Sequence, residues 1–288
     1  MAHDFFEKIV VITNAADDLG HAYSQHFLAR GAKLVLHDGR EKDLLALLEK
    51  LEWHKNIVLH SACDLAVPDV AVTLTEQAII HCGSVDILIN NRPPQTPYML
   101  EEWSPMQLQD ALQRHLLSTI LTIQAMLPCM QDKGFGRIIA TSSGAGAFGA
   151  AGYAAYSAAG AGVAGFMRSL SLELANTSIT ANTIAPMTLD DHDGYLATQD
   201  PLIDRELYLA DKVAPIVAYL TSDKCQLSGR LLSITGGRLA HIFASTVAGY
   251  FNHDEEGSDI DANLSAILDT NYALIPECAA DELLMINV

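Results

Sequence analysis

Short runs of Ile, Val and Leu alternate along this chain with longer stretches whose apolar residues recur at helical spacing. KIVVIT (8–13), KLVLHD (33–38), NIVLHSACD (56–64), VDILINN (85–91), GRIIATSS (136–143), ITANTIAP (179–186) and RLLSITGG (230–237) read as strands. Helices are predicted over 20–30, 41–52, 70–83, 105–132 and 153–176. The stretch 41–52, EKDLLALLEKLE, is amphipathic: its leucines share one face and its charges the other. The strands are apolar on both faces, as parallel strands are when helices cover each side. The pattern therefore predicts an α/β fold: a single doubly wound, Rossmann-type domain with a parallel sheet and right-handed connections.

Two regions break the rhythm. Residues 189–211 are polar and sit where a doubly wound fold places a lid over its substrate. Beyond about 240 the periodicity weakens. The expected division is thus a Rossmann-type domain over 1–240 and a C-terminal extension over 241–288 packed on it. The acidic patch NHDEEGSDID (252–261) reads as a solvated turn rather than a metal site, since its carboxylates lack calcium-loop spacing. No metal is expected. The uncharged run 138–167 is long enough for a membrane span. Its Gly, Ala and Ser content points instead to a buried strand, a loop and a tightly packed helix.

Half of the 288 residues are hydrophobic, which suffices for a core without staples. The formal net charge of −18 repels phosphate backbones and anionic lipid, so neither nucleic acid nor membrane is an expected partner. The five cysteines, at 63, 82, 129, 225 and 278, are scattered and odd in number, which fits free thiols in a reducing compartment. MAHDFFEKIVVIT is unlike a secretory leader and LLMINV is not a peroxisomal tripeptide, so the expected location is cytoplasmic.

Candidate chemistry lies late in the pattern. Ser143 closes the strand GRIIATSS, and Tyr156 follows it in YAAYSAAGAG (153–162). With the order of elements, this spacing resembles the short-chain dehydrogenase/reductase family. GRIIATSS, Tyr156 and SITANTIAP, with VAPIVAYL (213–220) and GGRL (236–239), resemble the (3R)-hydroxyacyl-CoA dehydrogenase units of peroxisomal multifunctional β-oxidation enzymes. The resemblance covers nearly the whole chain. It implies a catalytic Asn, Ser, Tyr and Lys, a nicotinamide cofactor, and a homodimer through the helices over 105–132 and 153–176.

Position by position, the motifs depart from the family. Its phosphate-binding turn T-G-x-x-x-G-x-G is TNAADDLG (13–20) here, so Asn14 and Asp18 replace two glycines and Gly20 survives. Asn14 tolerates positive φ. Asp18 is either a helix N-cap or a carboxylate facing the cofactor pyrophosphate. In the second case a like-charge contact at ~4 Å costs roughly 4 kcal/mol at an effective dielectric of about 20. Asp38 stands where NAD-preferring members hold the ribose, and Asp64 where an aspartate meets the adenine; both are otherwise plain surface acids. N-N-A-G becomes NNRP (90–93): Asn90 braces the sheet, while Arg92 is placed to pair with Asp18 or bind an anion. The catalytic Asn position falls on His115 or Arg114. Ser143 and Tyr156 are in place, and the lysine is Gly160. Without it Tyr156 is expected near the free phenol value of ~10, a poor base at neutral pH. Pro186-Met187 replaces P-G, and Thr188 falls near the carboxamide position.

Damage to both the turn and the lysine suggests a repurposed enzyme without a cofactor. Ser143 and Tyr156 would polarise a carbonyl. His115, with a pKa near neutrality, would move a proton unless it is simply a satisfied core histidine. The expected chemistry is cyclisation, isomerisation or dehydration of a small hydrophobic, polyketide-like or terpenoid-like substrate. Two alternatives remain: an NAD-dependent oxidoreductase of the 3-hydroxyacyl-CoA dehydrogenase type, and an inactive dimer partner.

Overall fold

The computed structural model describes residues 4–92, 97–188, 204–247, 249–250, 260–271 and 273–281. The chain divides into two units, 1–241 and 242–288. The first holds a sheet in the order β3-β2-β1-β4-β5-β6-β7-β8. Its strands are β1 (Ile9–Thr13), β2 (Lys33–Asp38), β3 (Ile57–Ala62), β4 (Ile87–Asn90), β5 (Gly136–Thr141), β6 (Ile179–Met187), β7 (Leu231–Thr235) and β8 (Arg238–Ile242). The pairings from β3 through to β7 are parallel. This is the doubly wound α/β fold that the pattern predicts. The eighth strand and the short helices α6 (Gly144–Phe148) and α8 (Ala214–Leu220) go beyond it.

Alternate residues of each strand feed two separate cores. Val10, Ile12, Leu34 and Leu36 pack with Tyr23 and Phe27 of α1 (Asp18–Leu28) and Leu44 and Leu48 of α2 (Glu41–Lys50). Val11, Val35 and Leu88 face the other way. They meet Leu74 of α3 (Pro68–Cys82), Met126 and Met130 of α5 (Ser118–Lys133), and Val163 and Met167 of α7 (Ala154–Glu173). Helices α3 and α5 stop where Gly83 and Gly134 take the left-handed conformation, at φ +82 and +68. The uncharged run 138–167 resolves into β5, α6 and α7, as expected. Among the described residues, no helix is long and apolar enough to cross a membrane.

The single helix predicted over 105–132 is interrupted. Helix α4 (Pro105–Leu112) runs into a π-helical turn, Gln113–Leu117, before α5 begins. An extra residue in the turn shifts the face that follows, and it brings His115 inward to 1% exposure. The small-residue stripe of α7 is partly used within the chain. A Cβ on Gly162 would lie 3.0 Å from Leu116 of the π turn, whereas one on Gly165 would meet nothing. In the second unit, α9 (Ile260–Ile267) and an antiparallel bridge between Thr246 and Leu274 are described. The acidic patch 252–261 lies almost wholly outside the described residues, as do 189–203 of the stretch 189–211 expected to form a lid; its described end forms short 3-10 turns at Arg205–Tyr208 and Ala210–Lys212.

Gly20 is fixed by packing, since a Cβ there would lie 2.5 Å from Cα and O of Ala15. Gly20→Ala is expected to destabilise by about 1–3 kcal/mol through overpacking. It should appear as a lower urea midpoint with an unchanged slope; an unchanged midpoint would show that α1 is not seated on this turn.

Candidate active site

β1 pairs on one side with β2 and on the other with β4, so the chain reverses its winding direction between β1 and β4. Ligands of open α/β sheets bind in the crevice outside the strand ends at such a point. A cleft of about 350 Å³ opens there, lined by Thr13 and Asn14 after β1, His37 and Asp38 at the end of β2, Asp64 after β3 and Asn90 at the end of β4.

The loops on either side of the reversal are tied together. Asn14 takes φ +46, as its side chain tolerates, and donates Nδ2 to the Asn91 carbonyl at 2.9 Å. Asn91 returns Nδ2 to both carboxylate oxygens of Asp17 at 2.8 Å. Asp17 Oδ1 also accepts the Gly20 N–H at 2.6 Å and is the N-cap of α1. The cap is therefore Asp17 and not Asp18, which is exposed in the first helical turn. There, water and salt screen its charge, so its repulsion of a phosphate falls well below the cost at a dielectric of about 20.

Asp38 is buried and held by the backbone: Oδ2 accepts from Ala16 N and Oδ1 from Arg40 N, each at 3.1 Å. A carboxylate offers about four acceptor positions, so two remain for a ligand. His37 Nε2 lies 2.9 Å from the Cys63 carbonyl, which only accepts, so Nε2 carries the proton. Its Nδ1 is then a buried acceptor without a partner. Burial lowers the pKa of His37, outweighing the Cys63 carbonyl and the acids Asp38 and Asp64, which keeps the ring neutral. Asp64 is exposed and accepts from Ala66 N at 3.0 Å. Asn90 is buried and accepts from Thr119 of α5 at 3.0 Å, which braces strand against helix.

A second group of the predicted residues is buried on and around α7, apart from the residues that line the cleft. Tyr156 is 3% exposed, and the His115 ring meets its edge at 84° and 5.2 Å between centroids. His115 is not the near-neutral proton carrier that its residue type suggests. Desolvation, followed by the charges of Arg92 and Arg114, lowers its pKa to about 3. Arg114 itself pairs with Asp110 at 2.8 Å and lines the cleft. Ser143 is fully buried and caps α6, its Oγ accepting from Gly146 N at 2.9 Å. Thr188, after β6, is buried at 2% exposure.

Arg92 does not pair with Asp18. It is 5% exposed, and its guanidinium carbon lies 3.5 Å from the centroid of the Tyr156 ring. Nη2 reaches the Tyr156 carbonyl at a long 3.4 Å, while Nε and Nη1 have no hydrogen-bond partner. The notch at Gly160 is closed: a Cβ there would lie 3.0 Å from Arg92 Nη1, 3.1 Å from Gly146 Cα and 3.1 Å from Ser142 Oγ. The missing lysine thus leaves no room behind it. Each orphaned donor costs about 1–3 kcal/mol, while a desolvated cation–π contact contributes about 2 kcal/mol or more. Packing stability alone does not account for a cation here. The signal in the sequence was a pair: a cation gained at 92 and one lost at 160. Asn91, the strap of the reversal, had no signal beyond its place beside Asn90.

The family model described as short chain dehydrogenase matches residues 8–193, from β1 through the Ser143–Tyr156 segment. The chain belongs to the short chain dehydrogenase family. Among its relatives, 3-oxoacyl-[acyl-carrier-protein] reductase FabG of Escherichia coli is 31% identical over 244 residues, 81% of this chain and 98% of that protein. Peroxisomal hydratase-dehydrogenase-epimerase of Saccharomyces cerevisiae is 30% identical over 81% of this chain, but the match spans only 26% of the yeast protein. Peroxisomal multifunctional enzyme A of Dictyostelium discoideum is 25% identical over 98% of this chain and 64% of its own length. The crystal structure of levodione reductase shares the fold, with TM-score 0.73 at 24% identity over 81% of this chain and 98% of its own. These relatives bear out the resemblance read from the motifs.

The expectation of a cofactor-free protein is corrected by this membership. The relatives are named reductases and dehydrogenases, activities that need a hydride carrier. The residues fit the adenosine half of such a carrier: Asp38 keeps acceptor capacity, and His37 holds an orphaned acceptor beside the cleft. The phosphate turn fits less well, because the Gly20 N–H is already given to Asp17.

The His115 environment has a pH signature. Below its unfolded pKa of 6.5 the unfolded chain binds a proton that the folded site refuses until about 3, so stability falls as pH drops through that window. The loss approaches about 1.4 kcal/mol per pH unit for one histidine. His26, lowered to about 4, acts in the same direction. In urea unfolding at a series of pH values, His115→Gln should show a shallower acid slope than the wild type. Equal slopes would mean that His115 is protonated in the folded state.

Proposed function

We propose that the protein is an NAD(H)-dependent oxidoreductase that interconverts the hydroxyl and carbonyl forms of a small, largely apolar acyl substrate of the 3-hydroxyacyl type. The observation that carries this is Asp38, a buried carboxylate at the end of β2 in the switch-point cleft, with acceptor positions left for a ribose diol. A 2′-phosphate there would meet like charge, which favours NAD over NADP. The substrate class is supported by relatives named for 3-oxoacyl and hydroxybutyrate substrates, the latter 26% identical over 80% of this chain.

Asp38, Asp64 and His37 would hold the adenosine half, and Asn90 would keep β4 braced behind it. The bound dinucleotide would supply or accept the hydride. Tyr156 exchanges the proton of the substrate oxygen. Ser143, whose Oγ accepts from Gly146 N, would donate its own O–H to the same oxygen. Neutral His115 meets the Tyr156 ring at its edge and, with a pKa lowered to about 3, does not take up a second proton near neutral pH. The proposed assembly is a homodimer through α4, α5 and α7, where Ala158 and Ala161 are exposed.

Calorimetry of purified protein with NADH and NADPH tests the reading. NADH is expected to bind more tightly, and Asp38→Ala should remove the preference. Asp18→Gly should strengthen binding by less than about tenfold, since the charge is exposed. Binding of neither dinucleotide, with or without a 3-oxoacyl substrate, would sink it.

A further inference from the structure

We propose that Arg92 supplies, from the end of β4, the positive charge at Tyr156 that the family's lysine would supply from position 160. The two sites then form one exchange: the cation moved from the helix to the facing loop, and glycine at 160 made the space. This rests on Tyr156 as the proton-exchanging group in the function proposed above.

Three observations carry it. The guanidinium is stacked on the phenol ring at 3.5 Å. Its Nη1 lies 3.0 Å from the point where any side chain at 160 would begin, so a lysine there would compete with the guanidinium for the same volume and require it to shift. It is buried with two N–H groups, Nε and Nη1, lacking a hydrogen-bond partner. A filler for the Gly160 notch would be apolar, because methionine reaches as far without orphaned donors or a desolvated charge. What arginine adds is the charge. A cation against the ring in a dry site favours phenolate over phenol, which suits proton exchange near neutral pH.

Other groups face the same ring. His115 from the π turn meets its edge and is neutral, and Tyr153 of α7 lies 5.9 Å away between centroids. Arg114 acts on His115 and is tied to Asp110. Arg92 is therefore a positioning residue, acting on substrate through Tyr156.

The test reads tyrosine ionisation directly and needs no dinucleotide. Ultraviolet difference titration of the wild type against Tyr156→Phe isolates one of the nine tyrosines. In the wild type this signal should titrate at lower pH than in Arg92→Gln, by about one pH unit or more. Arg92→Lys should keep most of the difference. The exchange variant Arg92→Ala/Gly160→Lys should bring the signal back toward the wild type. Arg92→Met serves as a second neutral variant if Arg92→Gln does not fold, with circular dichroism confirming the fold of each. An unchanged Tyr156 titration in a folded neutral variant would overturn the proposal, and so would a wild type in which Tyr156 does not ionise before unfolding. Because the protein carries no dinucleotide in this titration, failure of NADH binding would overturn the proposed function and leave this result standing.

Discussion

β1 pairs with β4 instead of with the strand that follows β2, and the chain must therefore leave the sheet in opposite directions on either side of that seam. The loops after β1 and β4 emerge side by side with unpaired backbone groups between them. Asn14, Asn91 and Asp17 fill that gap with reciprocal hydrogen bonds. The strap sets where α1 begins, where the cleft opens, and where Arg92, the next residue along, is delivered. The cleft and the Tyr156 surroundings, although on different sides of β4, thus share one anchor.

The two departures from the family pattern differ physically. At the turn, the carboxylate at 18 is exposed, and the capping is done by Asp17, a residue that the motif leaves free. At the helix, a missing lysine coincides with a buried guanidinium in the same volume. One is a charge added in solvent, where it does little. The other is a charge in a buried place, where electrostatic interactions are stronger. Counting both as damage treats them as equal, and burial shows that they are not.

Much of this was legible in the residues. Strands apolar on both faces and an amphipathic 41–52 gave the layer order, because burial on both sides leaves that composition. Ser143 and Tyr156 were candidates through their resemblance to the family's serine and tyrosine positions. The π turn was not legible, since Gln113–Leu117 has ordinary helical composition; in the fold its bulge accompanies a buried His115 that meets Tyr156 edge-on. Nor was the capping by Asp17: adjacent aspartates are equivalent in sequence, and only the backbone chooses between them. Asp38 was read as a ribose ligand, but its hold on Ala16 and Arg40 is a property of the folded loop. The near-neutral pKa assigned to His115 failed because residue type says nothing of desolvation.

The closed notch at Gly160 also bears on how such a site can change over generations. Lysine at 160 with Arg92 still present would force two cations and two side chains into one small volume. Losing Arg92 first would leave the notch empty and the phenol without its cation. On the proposed exchange the two positions are coupled, because a side chain gained at 160 and the Arg92 guanidinium compete for one volume. A change at one of them is then also a change in the packing of the other.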